Sequence, residues 1–170
     1  MTNNSRVVFT TIGIIRSEHK LEEQTPIQPV YAQDCEGWLE VFPEFSSGLA
    51  GLEGFSHIYL LYHLHRVREV RLQAKPFLQD VKRGIFATRA PWRPNPLGMS
   101  IVELLAVEGN ILRLKGVDIL DGTPVLDIKP YNAGFDRYEN TRNGWYEEVS
   151  QEEEKKRSRR NFEPKEHLPA

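Results

Sequence analysis

Cysteine occurs once in the 170 residues, as Cys35, which excludes an intramolecular disulfide and any multi-cysteine zinc site. No run approaches the roughly 20 apolar residues of a membrane-spanning helix. The polar opening Met1-Thr-Asn-Asn-Ser5 has no apolar stretch of a secretory signal behind it. A cytoplasmic protein with no membrane partner is the expectation. The formal net charge is only -2, so the chain as a whole exerts no pull on nucleic acid. The GxSxG elbow, the Walker A loop and the GxGxxG fingerprint are all missing, which argues against a Rossmann cofactor site. What is present is a 39% apolar and 27% charged composition, that of a globular domain with enough chain to bury a core.

Two segments concentrate the chemistry. One is Ala87-Thr-Arg-Ala-Pro-Trp-Arg-Pro-Asn-Pro-Leu-Gly-Met-Ser100, the other Asp121-Gly-Thr-Pro-Val-Leu-Asp-Ile-Lys-Pro-Tyr131. Proline fixes φ and removes a donor, so both hold the backbone in stiff, irregular shapes. Stiff loops carrying Arg, Asn, Asp and Lys are where a scaffold places ligand contacts. Between Arg66 and Arg93 stand eight Lys or Arg (66, 68, 71, 75, 82, 83, 89 and 93) against Glu69 and Asp80, a basic patch of the kind phosphate recognition needs. A solvated arginine-rich loop explains that stretch equally well.

Strand signals recur along the chain. Val7 to Arg16 is β-branched with Gly13 interrupting, and Cys35 to Phe42 alternates up to Pro43. Ser17 to Pro29 reads as a long loop, a length often tied to function. Glu44 to Phe55 reads as a turn with one helical turn near Leu49. His57 to Val67 is the strongest apolar run; it fits a central strand, and a buried helix fits it too. Arg68 to Arg83 reads as an exposed excursion, and Gly84 to Thr88 as a short strand. Met99 to Val107 and Ile111 to Val117 flank Glu108-Gly-Asn110, a hairpin signal. Val125 to Ile128 reads as a last strand. Glu152 to Arg160 runs acids into bases, as on a solvated helix. The fold class expected from these signals is mainly β: a single antiparallel domain over residues 1–148, either an open sheet or a barrel, then a short helical, charged tail over 149–170 that is disordered at its end.

His57, His63 and His65 share parity, so one strand would project all three from one face. No acid joins them, and His57 and His63 stand about 20 Å apart on an extended chain; no metal is expected. Ser100 and Asp127 with a histidine make only a chance hydrolytic trio. Arg89 and Arg93 flank Ala-Pro-Trp on a backbone that resists helix, which suits a carboxylate or phosphate. Trp92 offers a stacking face for a base. Asn95 carries the amide pattern that reads adenine. A proline-rich corner with structural ion pairs, and a plain Asp-Gly β-turn at Asp121-Gly122, explain the same residues without a ligand.

Taken together, Phe55-Ser-His57, Gly84-Ile-Phe-Ala-Thr-Arg89, Arg93-Pro-Asn-Pro-Leu-Gly-Met-Ser100 and the Asp121–Tyr131 segment resemble the TsaA-like, TrmO-type tRNA (adenine-N6)-methyltransferases. Ile12-Gly-Ile-Ile-Arg-Ser17 and Pro26-x-Gln-Pro29 match as well, so the resemblance runs from about residue 7 to 148. It implies a barrel-like S-adenosyl-L-methionine enzyme that works as a homodimer on tRNA. The reaction implied is N6-methylation of threonylcarbamoyl-adenosine next to the anticodon. The donor-binding residues implied are Gln28, Pro29, Val30, His65, Arg66, Arg89, Ile101, Asp121, Gly122, Thr123 and Pro124. Arg66 stands where some members carry glutamine. Longer bacterial members extend into a further domain where this sequence has its charged tail.

An exocyclic adenine amine is a poor nucleophile, so a site must hold it with acceptors and take its proton. Asn95 is the candidate for orienting the amine, with Asp127 and Tyr131 as polar support. Arg93 and Trp92 are expected to face substrate, and Arg68, Arg71, Lys75, Lys82 and Arg83 to face tRNA phosphate, around a flipped base. Two other readings stay open: a module that binds S-adenosylmethionine without transfer, and a methyltransferase for a small molecule or another RNA.

Overall fold

The computed structural model describes residues 6–158. Its strands are β1 (Gly13–Ser17), β2 (Glu36–Val41), β3 (His57–His63), β4 (Gln73–Ala74), β5 (Arg83–Gly84), β6 (Leu97–Glu108), β7 (Ile111–Lys115) and β8 (Pro124–Pro130). Two short helices follow, α1 (Ala133–Asp136) and α2 (Gln151–Arg157). Six strands close an antiparallel barrel in the order β1-β2-β7-β6-β3-β8, while β4 and β5 form a separate two-stranded ribbon. The mainly-β expectation holds.

Alternation decides the architecture. In β3, Ile58, Leu60 and Tyr62 are buried while His57 and His63 are exposed, a period of two that settles the His57–Val67 run as strand and not helix. Ile15, Leu39, Ile58, Leu60, Leu112 and Leu114 fill the interior with no exposed surface. A barrel of this size has room inside for side chains only, so a ligand must sit among the loops outside it. The β6–β7 hairpin turns at Gly109, whose φ of 64° is the left-handed conformation that favours glycine.

Several boundaries differ from the sequence reading. Val7 and Val8 are exposed and unpaired in β-structure; strand begins only at Gly13, where Val41 and Val125 become partners. β-branched composition favours a strand only where a neighbouring strand is within reach. Of the strand expected over Gly84 to Thr88 only Gly84 is in β-structure, as the end of β5: the chain then winds into a 3-10 turn over Ile85–Ala87, closed by Thr88, whose amide and hydroxyl both donate to the Ile85 carbonyl. β3 stops at His63, because the Leu64 amide turns to donate to Pro96.

The C-terminal helix forms as expected and is capped by Ser150, whose Oγ accepts from the Glu153 amide. It does not stand apart from the domain. Glu154 accepts from the Tyr31 hydroxyl, Arg157 reaches Asp80 at 3.0 Å, and the Ile27 amide donates to the Ser158 carbonyl. The terminal residues expected to be disordered, and Arg159 and Arg160 of the expected helix, lie outside the described residues. Among the described residues no helix is long and apolar enough to cross a membrane.

Candidate functional site

At one end of the barrel the long connections meet around a cleft of about 1130 Å³. Four stretches build it: the β1–β2 connection, the excursion after β3, the proline-rich approach to β6 and the turn before β8. A fifth wall is C-terminal, from Trp145, Tyr146, Lys156 and Arg157. Its volume exceeds the usual range for a drug-sized ligand, so a nucleoside-sized molecule and part of a second one fit.

Tyr62, Ser100 and Asp118 form a buried hydrogen-bonded chain, of which Tyr62 and Asp118 line the cleft. Ser100 Oγ donates to Asp118 Oδ1 at 2.6 Å, and Tyr62 Oη lies 3.0 Å from the same Ser100 Oγ. Ser100 has one hydroxyl proton, so Tyr62 is the donor to Ser100. Burial pushes the Asp118 carboxyl up to about 7, against the pull of the Ser100 hydrogen bond, its own backbone amide and the Arg89 charge. Burial likewise pushes the Tyr62 phenol up. Gly98 makes room for this arrangement: a Cβ there would fall 2.1 Å from the Tyr62 ring.

The resemblance-implied residues divide by position. Gln28, His65, Arg66, Arg89 and Thr123 line the cleft. Arg89 donates to Gln28 Oε1, joining positions 61 residues apart. Burial lowers the pKa of His65 below its ordinary value, and the charges of Arg66 and His63 lower it further, so a neutral ring faces the cleft at neutral pH. Pro29 and Val30 form a 3-10 turn just behind Gln28 and, like Asp121, Gly122 and Pro124, are not among the lining residues. Asp121 instead braces the turn: Oδ1 accepts from the Ser17 amide at 3.0 Å and Oδ2 pairs with Lys20 at 2.8 Å. Burial alone would raise the Asp121 carboxyl, but those two contacts hold it below the usual range. Leu97 and Met99 line the cleft, and Ile101 is the next residue on that face of β6, just beyond it.

The substrate-side candidates scatter more widely. Trp92, Arg93 and Arg68 line the cleft. Arg93 uses Nη1 to hold its own loop, donating to the Ile85 carbonyl at 3.0 Å and the Thr88 carbonyl at 2.7 Å. One face of Trp92 carries the Arg71 guanidinium, 4.6 Å from the ring centroid. Arg83 is tied to Glu148 at 2.8 Å, while Lys75 and Lys82 are exposed away from the cleft. Asn95 is exposed, and Asp127 and Tyr131 lie on the outer wall of the barrel. Asp127 pairs there with Lys129 at 2.9 Å, and the Tyr131 ring stands 5.8 Å from Tyr59.

The three histidines do not share one strand face: His57 and His63 lie on the exposed face of β3, and His65 follows after the strand has turned away. Among the described residues no cluster of three or more His, Cys, Asp and Glu is placed to hold a metal ion. Ser100 meets Asp118, not Asp127, so the imagined hydrolytic trio does not assemble. Sequence reasoning missed Asp118 and the C-terminal wall. Trp145 stands with Tyr146 in an otherwise charged stretch of sequence; it is buried, stacked on Tyr146 at 3.8 Å, with Nε1 donating to the Ala87 carbonyl at 2.7 Å.

Comparison with known proteins gives a consistent result. Residues 14–137 match the family model described as the tRNA-methyltransferase O N-terminal domain. A probable S-adenosyl-L-methionine-binding protein of Pyrococcus abyssi is 53% identical over 151 residues, covering 89% of this chain and 82% of that protein. A tRNA (adenine(37)-N6)-methyltransferase of Mus musculus is 40% identical over 136 residues, covering 76% of this chain but 32% of the mouse protein. The crystal structure of TrmO from Pseudomonas aeruginosa superposes with a TM-score of 0.70 at 40% identity, covering 82% of this chain and 62% of that one. The chain thus spans less than two thirds of the Pseudomonas protein it matches.

Proposed function

The chain belongs to the family of the tRNA-methyltransferase O N-terminal domain, and from that premise we propose that it methylates N6 of the adenosine 3′ of the anticodon in tRNA, in its threonylcarbamoyl form. The methyl donor in this reading is S-adenosyl-L-methionine, the ligand named for the Pyrococcus relative. The observation that carries the reading is the convergence of Gln28, His65, Arg66, Arg89 and Thr123, from four separate segments, on one cleft.

The residues present suit such a donor. The cleft pairs a buried carboxyl at Asp118, the complement of a cationic ligand, with the Arg89 guanidinium, the complement of a carboxylate. When bound, S-adenosylmethionine supplies an electrophilic methyl group on a sulfonium sulfur. Arg89, oriented by Gln28, holds the carboxylate end of the donor. His65 offers a neutral ring nitrogen, and the Trp145–Tyr146 stack closes one wall against water. Arg66, Arg68 and Lys156 face tRNA phosphate at the cleft mouth. Arg93 shapes the loop that presents Trp92.

A homodimer completes this reading. Met99, Ile101 and Leu105 are 47%, 37% and 41% exposed on the outer face of β6, an apolar face that runs on from the cleft and is interrupted by Glu103. Ile101, Asp127 and Tyr131, which stand outside the cleft, belong to this outer face and its neighbourhood, where a second copy brings them nearer a site. Sedimentation equilibrium tests the point: a dimer is expected, and Ile101→Glu shifts it toward monomer.

The experiment for the function is incubation with methyl-labelled S-adenosylmethionine and total tRNA, followed by nucleoside analysis. Label in N6-methylated threonylcarbamoyl-adenosine is expected, and its loss is expected with tRNA lacking the threonylcarbamoyl group. Measured donor binding with no label in RNA overturns the reading in favour of a binding module or a small-molecule methyltransferase.

A further inference from the structure

The Tyr62–Ser100–Asp118 chain asks why a carboxyl, and not an amide, is buried beside the cleft. Asparagine would accept from Ser100 equally well without the desolvation penalty of a charge. The other acids lining the cleft, Glu22, Glu23 and Glu69, are exposed to solvent. Asp118 is therefore the acid placed where water is excluded and an ionisation is felt most strongly. The groups around it come from different elements: Tyr62 from β3, Ser100 from β6 and the Arg89 charge from the proline-rich segment, with the neutral His65 elsewhere on the cleft wall. Ser100 fixes one carboxylate oxygen and Tyr62 fixes Ser100, so the carboxyl is oriented by two hydrogen bonds in series.

We propose that Asp118 is the proton acceptor of the methyl transfer, with Ser100 and Tyr62 as its positioning residues. This rests on the methyltransferase reading above and names the proton acceptor, which that reading leaves open. As the substrate nitrogen's lone pair bonds the methyl carbon, the carbon–sulfur pair returns to sulfur and the N–H proton passes to the Asp118 carboxylate. The carboxylic acid gives that proton to water after product leaves. A carboxyl shifted toward neutrality is a better acceptor for this proton than an ordinary aspartate.

The test compares wild type, Asp118→Asn and Ser100→Ala in two measurements from about pH 5 to 9. The first is single-turnover transfer to tRNA. The second is calorimetric binding of S-adenosylmethionine alone, which needs no turnover. Wild-type transfer is expected to rise with pH through one ionisation. Asp118→Asn is expected to lose about 10²–10⁴-fold at every pH and to show no such rise. In Ser100→Ala the rise moves to higher pH, because the lost hydrogen bond was lowering the Asp118 ionisation. Above about pH 6.5, where His65 stays neutral, wild-type affinity for the cationic donor is expected to weaken as pH falls, and the Asp118→Asn affinity to stay flat. Three results overturn the proposal: Asp118→Asn transfer within about threefold of wild type, which is well short of the effect of losing a general base; a Ser100→Ala profile superimposed on wild type; or a flat wild-type binding profile. If the binding profile behaves as expected but no RNA is labelled, the tRNA reading falls, while Asp118 keeps its place beside the donor with another acceptor. If Asp118→Asn does not fold, the Ser100→Ala profile and wild-type binding still decide.

Discussion

A carboxyl raised to about 7 by burial weakens the fold whenever it is charged. The folded ionisation of Asp118 lies above the ordinary 3.8, so its stabilising contribution is complete below the unfolded value and lost as pH rises through about 7. Asp118→Asn removes that loss. Its unfolding free energy from chemical denaturation is expected to exceed wild type at alkaline pH and to converge with it in acid, a gap on the order of a few kcal/mol at most since one pH unit is about 1.4 kcal/mol. A site residue that costs stability is a common sign of function. His19 acts in the opposite sense: burial lowers it, outweighing the Val117 carbonyl and Glu18 that raise it, so the neutral ring's contribution is lost as pH falls below 6.5. Chemical denaturation is expected to show a falling midpoint below that pH, less steep in His19→Gln. Gly98→Ala forces the Tyr62 ring aside and is expected to cost about 1–3 kcal/mol, read by the same denaturation, with transfer also impaired.

Among the elements, α2 is the one whose role its sequence conceals. Its acids and bases suggest a solvated helix, and seven residues are too few to be stable alone. Its contacts with Tyr31, Asp80 and Ile27 hold it across two cleft walls. A chain ending after Val149 is expected to keep the barrel's circular dichroism but to bind S-adenosylmethionine more weakly, because the Gln28 loop loses its brace. Unchanged affinity in a binding titration would show that the brace does not matter. Strands β2 and β7 were legible because Leu39, Leu112 and Leu114 alternate with mostly polar neighbours, whereas β3, a continuous apolar run, was told from a helix only by the alternating burial of Ile58 and Leu60. Val7 to Thr11 was misread because strand formation depends on a partner as much as on propensity. The turn at Ile85–Ala87 was misread because one side-chain hydrogen bond from Thr88 redirected an apolar segment.

For the whole molecule, the cleft lining sets the exposed bases Arg66, Arg68 and Lys156 among the exposed acids Glu22, Glu23 and Glu69. If Arg66, Arg68 and Lys156 each neutralise one phosphate of a single-stranded loop, the logarithm of tRNA affinity falls with the logarithm of salt at a slope of about -2. The double variant Arg68→Ala, Lys156→Ala is expected to flatten that slope in filter-binding assays while leaving the affinity for S-adenosylmethionine alone intact. The chain's own pattern determined that it would be mainly β, since alternation is local and fixes which face each strand buries; closure of the six strands into a barrel was decided by the tertiary structure. Its two stiff segments also marked the neighbourhood of the site, since proline restricts the backbone wherever it stands. Only the closed tertiary structure decided which residues share the cleft. The closed fold brings Gln28 to Arg89 and Ser100 to Asp118, and leaves Asn95, Asp127 and Tyr131 off the cleft lining. Burial, which gives Asp118 its acidity, is a property of everything packed around it and is written at no single position.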